Sequence, residues 1–228
     1  IGQAPERLPI TITANIVHGD ALDLDWSEEL PKPAGQTAVF GNPPFLGHDT
    51  RTKEQAEALR RVWKTKSLGR LDYVTAWHAK TIELLAARPG AFAFVTTNSI
   101  TQGDQVPRLF GPIFKAGWRI GFAHRTFAWD SQAPGKAAVH CVIVGFTREA
   151  SVTPRLFGYS SPQGEPEPLP VTTGINAYLV DAPNVLVTAH QGTMNPLLPS
   201  VTFGSTPRDG GHLIVTADER DAILADPV

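Results

Sequence analysis

The feature that most restricts what this chain can fold into is the alternation of short β-rich runs with helical stretches between Thr37 and Phe146. Thr37-Ala38-Val39-Phe40 is an apolar run of strand length, and Lys53–Lys64, with Ala, Leu and alternating charges, is expected to be helical. Over Leu71–Ala87 the residues Val74, Trp77, His78, Thr81, Ile82 and Leu85 recur with helical spacing, and Pro89-Gly90 ends the pattern. Ala91–Thr96 then reads as a buried strand. Asp104–Ala116 reads as a helix interrupted by Pro107 and Pro112. Trp118–Phe127 and Ala137–Phe146 are strands with no room for a helix between them, and upstream a strand is expected over Ile10–Val17, stopping at His18-Gly19-Asp20. Strands that alternate with helices imply an α/β fold with a parallel sheet covered on both faces, and the closing pair implies an antiparallel edge. Ligands of such sheets sit beyond the C-terminal strand ends.

Composition bounds the rest. With 228 residues, 42% hydrophobic and 18% charged, the chain can bury a core of ordinary size. Cys141 is the single cysteine, so no internal disulfide is available, and the His and Cys residues show no paired ligand spacing; no metal site is expected. No apolar run approaches the roughly 18 residues of a membrane span, and the first residues resemble no signal peptide, which makes the cytoplasm the expected location. The chain starts at Ile1 and its only methionine is Met194, so it is expected to be part of something longer. Leu46–Lys80 carries eight basic and four acidic side chains, whereas from Ser151 onward there are three arginines and eight acids. Half of the twenty prolines also fall in these last 78 residues, which places a boundary near 150; Ser160–Pro168 reads as a surface loop or linker.

The most specific chemistry is in Gly41-Asn42-Pro43-Pro44-Phe45, directly after the apolar run. Pro43 has a fixed φ and no donor, and Pro44 pushes it toward extended geometry, so the Asn42 side chain and the Pro43 carbonyl can face one point. Two acceptors there would orient the protons of a planar amine, such as the exocyclic amine of adenine. They would favour a tetrahedral nitrogen as a methyl group approaches in line. Phe45 would stack on the base, which in duplex DNA must first be flipped out at a cost of about a few kcal/mol.

Asn42-Pro43-Pro44-Phe45 is similar to the Asn/Asp-Pro-Pro-aromatic motif of S-adenosylmethionine-dependent amino methyltransferases. Further stretches are Asn15–Leu22, Leu71-Asp72-Tyr73-Val74-Thr75-Ala76-Trp77, Thr97–Gly103, Ala123–Trp129, Gly135–Val139, Ile175–Val180 and Asp209-Gly210-Gly211. With these, most of the chain resembles the MmeI-like group of type II restriction-modification enzymes, which join an endonuclease, an adenine methyltransferase and a target-recognition domain. The resemblance implies the second half of a class I, Rossmann-like methyltransferase sheet with antiparallel terminal strands over residues 1–150. A Pro-rich mixed segment over 151–228, linker and beginning of target recognition, would follow. It implies S-adenosylmethionine as cofactor, double-stranded DNA as partner, and an N-terminal methyltransferase and nuclease portion supplied by the same or another chain.

By the same resemblance, Asn42, Pro43, Pro44 and Phe45 carry catalysis, and Asp20, Ala21 and Asn42 contact the cofactor. Phe45 with Phe127 and Trp129 walls the target base, and Arg51, Lys53 and Lys136 meet DNA phosphates. Each has a plainer alternative: a turn aspartate after Gly19, core aromatics in a strand, solvated basic side chains. His140 and Cys141 fall on opposite strand faces and read as structural. The sequence contains no G-x-G loop for the methionine end of the cofactor, and no acid stands two positions before any lysine, so the usual nuclease arm cannot be built. The isolated chain is therefore expected to be inactive. An RNA or protein-glutamine methyltransferase and a non-catalytic folded fragment or subunit are the alternatives.

Overall fold

The computed structural model describes residues 14–129, 139–189, 195, 197 and 215–225. The chain divides into two compact units, Ile1–Thr188 and Ala189–Val228. In the first, a short helix α1 (Trp26–Glu29) precedes strand β1 (Thr37–Gly41), helices α2 (Lys53–Trp63) and α3 (Thr75–Leu84), and strand β2 (Gly90–Thr97). Helix α4 (Gln105–Lys115) leads into the long strands β3 (Arg119–Trp129) and β4 (Val139–Thr147), then β5 (Arg155–Tyr159) and β6 (Pro166–Leu169). One helix of the second unit is described, α5 (Ala217–Ala225), which buries no residue. No helix among the described residues is long and apolar enough to cross a membrane.

The six strands form one sheet in the order β1-β2-β4-β3-β5-β6. β1 runs parallel to β2, and β4 lies between β2 and β3, antiparallel to both. The antiparallel pair is expected at the sheet edge, but β5 adds in parallel to β3 and β6 pairs antiparallel with β5, so the sheet continues past residue 150. The Ser160–Pro168 stretch is only partly loop: Pro166 and Pro168 lie in β6, an edge strand, where the missing N–H of proline is tolerated.

Among the described residues, helices cover one face of this sheet and not both. The crossovers β1-α2-α3-β2 and β2-α4-β3 advance the same way along the strand order, and right-handed crossovers then place their helices on the same side. There Phe92, Phe94, Val144 and Phe146 pack with Leu59, Val74, Leu109, Phe110 and Ile113. The opposite face carries Ala38, Phe40, Ala91, Ala93, Phe122 and Gly145 around an open groove of about 320 Å³, and Phe40 is 81% exposed.

Local departures from expectation have local causes. Residues 14–18 form no strand, because a strand needs a partner for its backbone groups and none of the described strands lies beside them; Ile10–Thr13 lie outside the described residues. α3 begins at Thr75 rather than Leu71 because the amides ahead of it are bonded elsewhere: Asp72 N–H donates to Gln105 Oε1 (3.0 Å) and Tyr73 N–H to the Leu46 carbonyl (2.9 Å). α4 runs unbroken through both prolines. Pro107 stands in the first turn, where amides have no intrahelical acceptor, and burial of Leu109, Phe110 and Ile113 offsets the bond lost at Pro112.

Two elements yield direct tests. A Cβ at Gly90 would overlap the Thr37 carbonyl oxygen and stand 3.0 Å from its carbonyl carbon, so alanine there must push β1 away from β2. Gly90→Ala is expected to lower the unfolding free energy by about 1–3 kcal/mol, read as a drop in the urea midpoint; an unchanged midpoint refutes the close approach. The Asp181 carboxylate accepts the N–H groups of Thr172, Thr173 and Gly174 and the Thr172 hydroxyl at 2.8–3.0 Å, which holds it well below the usual carboxylate range. A carboxyl depressed in the folded state stabilises above its unfolded value and loses that contribution as pH falls. Asp181→Asn is expected to speed hydrogen exchange at Thr173 and Gly174 at neutral pH. Equal rates in both proteins would remove the clamp.

Candidate active site

β1 delivers the GNPPF segment to the C-terminal end of the sheet. Its register on β2 ends with Gly41 opposite Phe94, and the chain leaves the strand at Asn42. Pro43 is buried while Asn42 and Pro44 are exposed. Among the described residues no group hydrogen-bonds the Asn42 side chain, so its amide is available to a ligand. Phe45 is half-buried against the helix-side core. One residue further, the Leu46 carbonyl accepts the Tyr73 amide, which ties the end of the loop to the segment before α3.

Asp20 and Ala21 sit in the loop before α1. Asp20 is exposed; its Oδ1 accepts the Leu22 amide at 2.8 Å, and its carbonyl accepts the amides of Asp23 and Leu24, so local turn chemistry accounts for much of its setting. Gly19 and Ala21 line an open groove of about 600 Å³ together with Trp26, Val39 and Phe40, within the roughly 300–1,000 Å³ usual for small-molecule sites. The structure thus brings the Asp20 turn and β1 to one groove. Its walls are largely apolar and follow the chain from Gln36 along β1 to Phe40 at the edge of the sheet.

Phe127 is half-buried and Trp129 exposed, their ring centroids 6.3 Å apart. Both pair across β4 with residues of the face that helices leave open, Cys141 and Val139, so they are not packed in the helix-side core. The register shift between His124 and Phe127 is what turns Phe127 to that face. No ring pair joins Phe45 to Phe127 or Trp129. Phe127 instead meets Tyr159 at 5.3 Å, and Tyr159 Oη lies 2.8 Å from His124 Nδ1, with the His124 ring stacked on Phe157 at 4.5 Å. Sequence reasoning missed Tyr159 because it lies past the composition shift; the apolar, aromatic-rich run Leu156-Phe157-Gly158-Tyr159 was the available signal.

The basic residues differ among themselves. The Arg51 guanidinium donates to the Leu71 carbonyl and is drawn into the loop network, whereas Lys53 is exposed at the start of α2. Lys136 lies outside the described residues. Cys141 is buried, which pushes its thiol up to about 11, while neighbouring His140 is exposed, as two residues on opposite strand faces should be.

Residues 1–158 match the family model described as MmeI, DNA-methyltransferase domain. DNA methyltransferase A of Bacillus subtilis (strain 168) is 36% identical over 220 residues, covering 95% of this chain and 24% of its own length. A solved structure of the type IIL restriction-modification enzyme MmeI in complex with DNA superposes with a TM-score of 0.83 at 37% identity. That likeness covers 96% of this chain and 29% of the other. The chain therefore spans about a quarter of the length of these relatives.

Proposed function

The chain belongs to the MmeI DNA-methyltransferase domain family, and from that membership we propose that it forms the amine-handling half of an adenine-N6 DNA methyltransferase within a restriction-modification enzyme. The observation that carries the reading is the placement of GNPPF: a parallel strand releases it at the C-terminal sheet end with Pro43 buried and the Asn42 amide unbonded. S-adenosylmethionine, when bound, supplies an electrophilic methyl group. The work of this chain is to present the nucleophile. The Asn42 side chain and the Pro43 carbonyl accept hydrogen bonds from the two N–H groups of the adenine amine and draw its lone pair out of conjugation; one of those protons leaves the nitrogen once the methyl group is attached. Phe45 stacks on the flipped base, Phe127, or Trp129 in its stead, forms the second wall, and Asp20 with Ala21 contacts the adenosine end of the cofactor.

The sheet through β4 belongs in this reading to the methyltransferase, and the segment from 151 onward to the linker and the beginning of target recognition. The upstream portion, in the same or another chain, completes the sheet. Two features support that: β1 is an edge strand with an open groove beside it, and the uncovered face presents Ala38, Phe40, Ala91 and Ala93 to a further layer. Double-stranded DNA is the partner, met in part through Lys53 and Lys136, and the cytoplasm the location.

The test is transfer of labelled methyl groups from S-adenosylmethionine to duplex DNA by the shortest polypeptide that contains this chain and a Gly-rich cofactor loop. N6-methyladenine is the expected product. Label found only in RNA or on a peptide glutamine, or no transfer at all, overturns the assignment.

A further inference from the structure

We propose that Asp72 is the positioning residue for the GNPPF loop, a role that rests on the methyltransferase reading above. Asp72 is 6% exposed. Its Oδ2 accepts the Ser99 hydroxyl, and the Thr97 hydroxyl lies within hydrogen-bond reach of both that Oδ2 (3.0 Å) and Ser99 Oγ, so two hydroxyl protons are shared among three oxygens. Thr97 is the last residue of β2 and Ser99 lies in the 3₁₀ turn Asn98–Thr101 that follows, at the same end of the sheet from which β1 releases GNPPF. The carboxylate therefore grips the end of β2.

The backbone around Asp72 grips the loop. Tyr73 N–H donates to the Leu46 carbonyl, one residue past Phe45. Three further elements hold the same segment: Gln105 of α4 accepts the Asp72 amide, Arg51 donates to the Leu71 carbonyl, and Trp63 of α2 donates to the Thr75 hydroxyl, which in turn donates to the Asp72 carbonyl. Residues 71–75 thus form a polar hub whose anchor is the Asp72 carboxylate and whose output is the bond to Leu46. A buried carboxylate that holds two hydroxyls is a costly arrangement for stability alone. Here it sets where GNPPF stands relative to β2, and displacement of a reacting group by about 1 Å can cost on the order of 100-fold in rate.

The experiment compares Asp72→Ala, Asp72→Asn and Ser99→Ala with wild type in the shortest polypeptide that contains this chain and a Gly-rich cofactor loop, measuring kcat, the KM for S-adenosylmethionine, and the emission of 2-aminopurine placed at the target base. The expected result for Asp72→Ala is a fall in kcat on the order of 10- to 100-fold with KM within about twofold and 2-aminopurine emission retained. Asp72→Asn, which keeps one acceptor oxygen, recovers part of the loss, and Ser99→Ala falls between wild type and Asp72→Ala. An unchanged kcat, or a loss that moves KM and base emission together, overturns the role. Should Asp72→Ala not fold, the same split in Asp72→Asn and Ser99→Ala decides the matter. A wild type that moves no methyl group to DNA defeats the methyltransferase reading itself, whereas a fully active Asp72→Ala defeats only this one.

Discussion

Replacing Asn42 with alanine is expected to cut methyl transfer on the order of 10²- to 10³-fold, the usual cost of one preorganised hydrogen-bonding group at a developing charge, about 2.7–4 kcal/mol. The Asn42 side chain is exposed and unbonded, so its removal leaves no orphaned partner in the protein and should spare the fold. Pro43, by contrast, is buried, and the proposed site uses its backbone carbonyl, which side-chain substitution cannot delete. The comparison with Asn42→Asp is informative: aspartate keeps an acceptor at that position, so its loss should be smaller than that of alanine. The measurement is the single-turnover rate in the shortest active polypeptide, with thermal melting as the control. If Asn42→Ala transfers methyl groups within about threefold of wild type while binding DNA normally, the amine site is elsewhere.

The second large effect is one of stability and pH. His78 is 1% exposed on α3, its ring among Phe92, Phe94 and Phe146, and neither ring nitrogen makes a well-formed hydrogen bond. Burial pushes its protonation down to about 4, outweighing the pull of the Val74 carbonyl one turn back. The folded state thus holds a neutral imidazole where the unfolded chain would take a proton below its ordinary value of about 6.5. Stability is therefore full above that value, declines as pH falls through it, and levels off below about 4. The total is on the order of 3 kcal/mol. His78→Leu should remove this part of the acid sensitivity and leave stability at pH 8 nearly unchanged, as read from urea unfolding across pH 4–8. Parallel pH profiles for the two proteins would show that His78 is not buried as a neutral ring.

Much of the candidate site was legible in the sequence because its signal is local. Asn42-Pro43-Pro44-Phe45 states its own backbone constraint in two imino acids, and Thr37–Phe40 marks the strand that presents it. The helices α2, α3 and α4 were visible in their apolar spacing, though not where α3 starts. Phe127 and Trp129 were named as a pair, but Tyr159, which meets Phe127, was not, since the two are brought together only by β5 joining β3.

By itself the sequence determined the order of strands and long helices between Thr37 and Thr147, the rigid bend after β1, and the residue types placed there, because φ restriction and apolar periodicity act over a few neighbouring residues. Tertiary structure alone decided that β4 inserts between β2 and β3, that both crossovers lay their helices on one face, and that Asp72 reaches Thr97 and Ser99 some 25 residues away. Those outcomes depend on strand pairing and burial between distant segments, whose free energy exists only once the sheet is assembled.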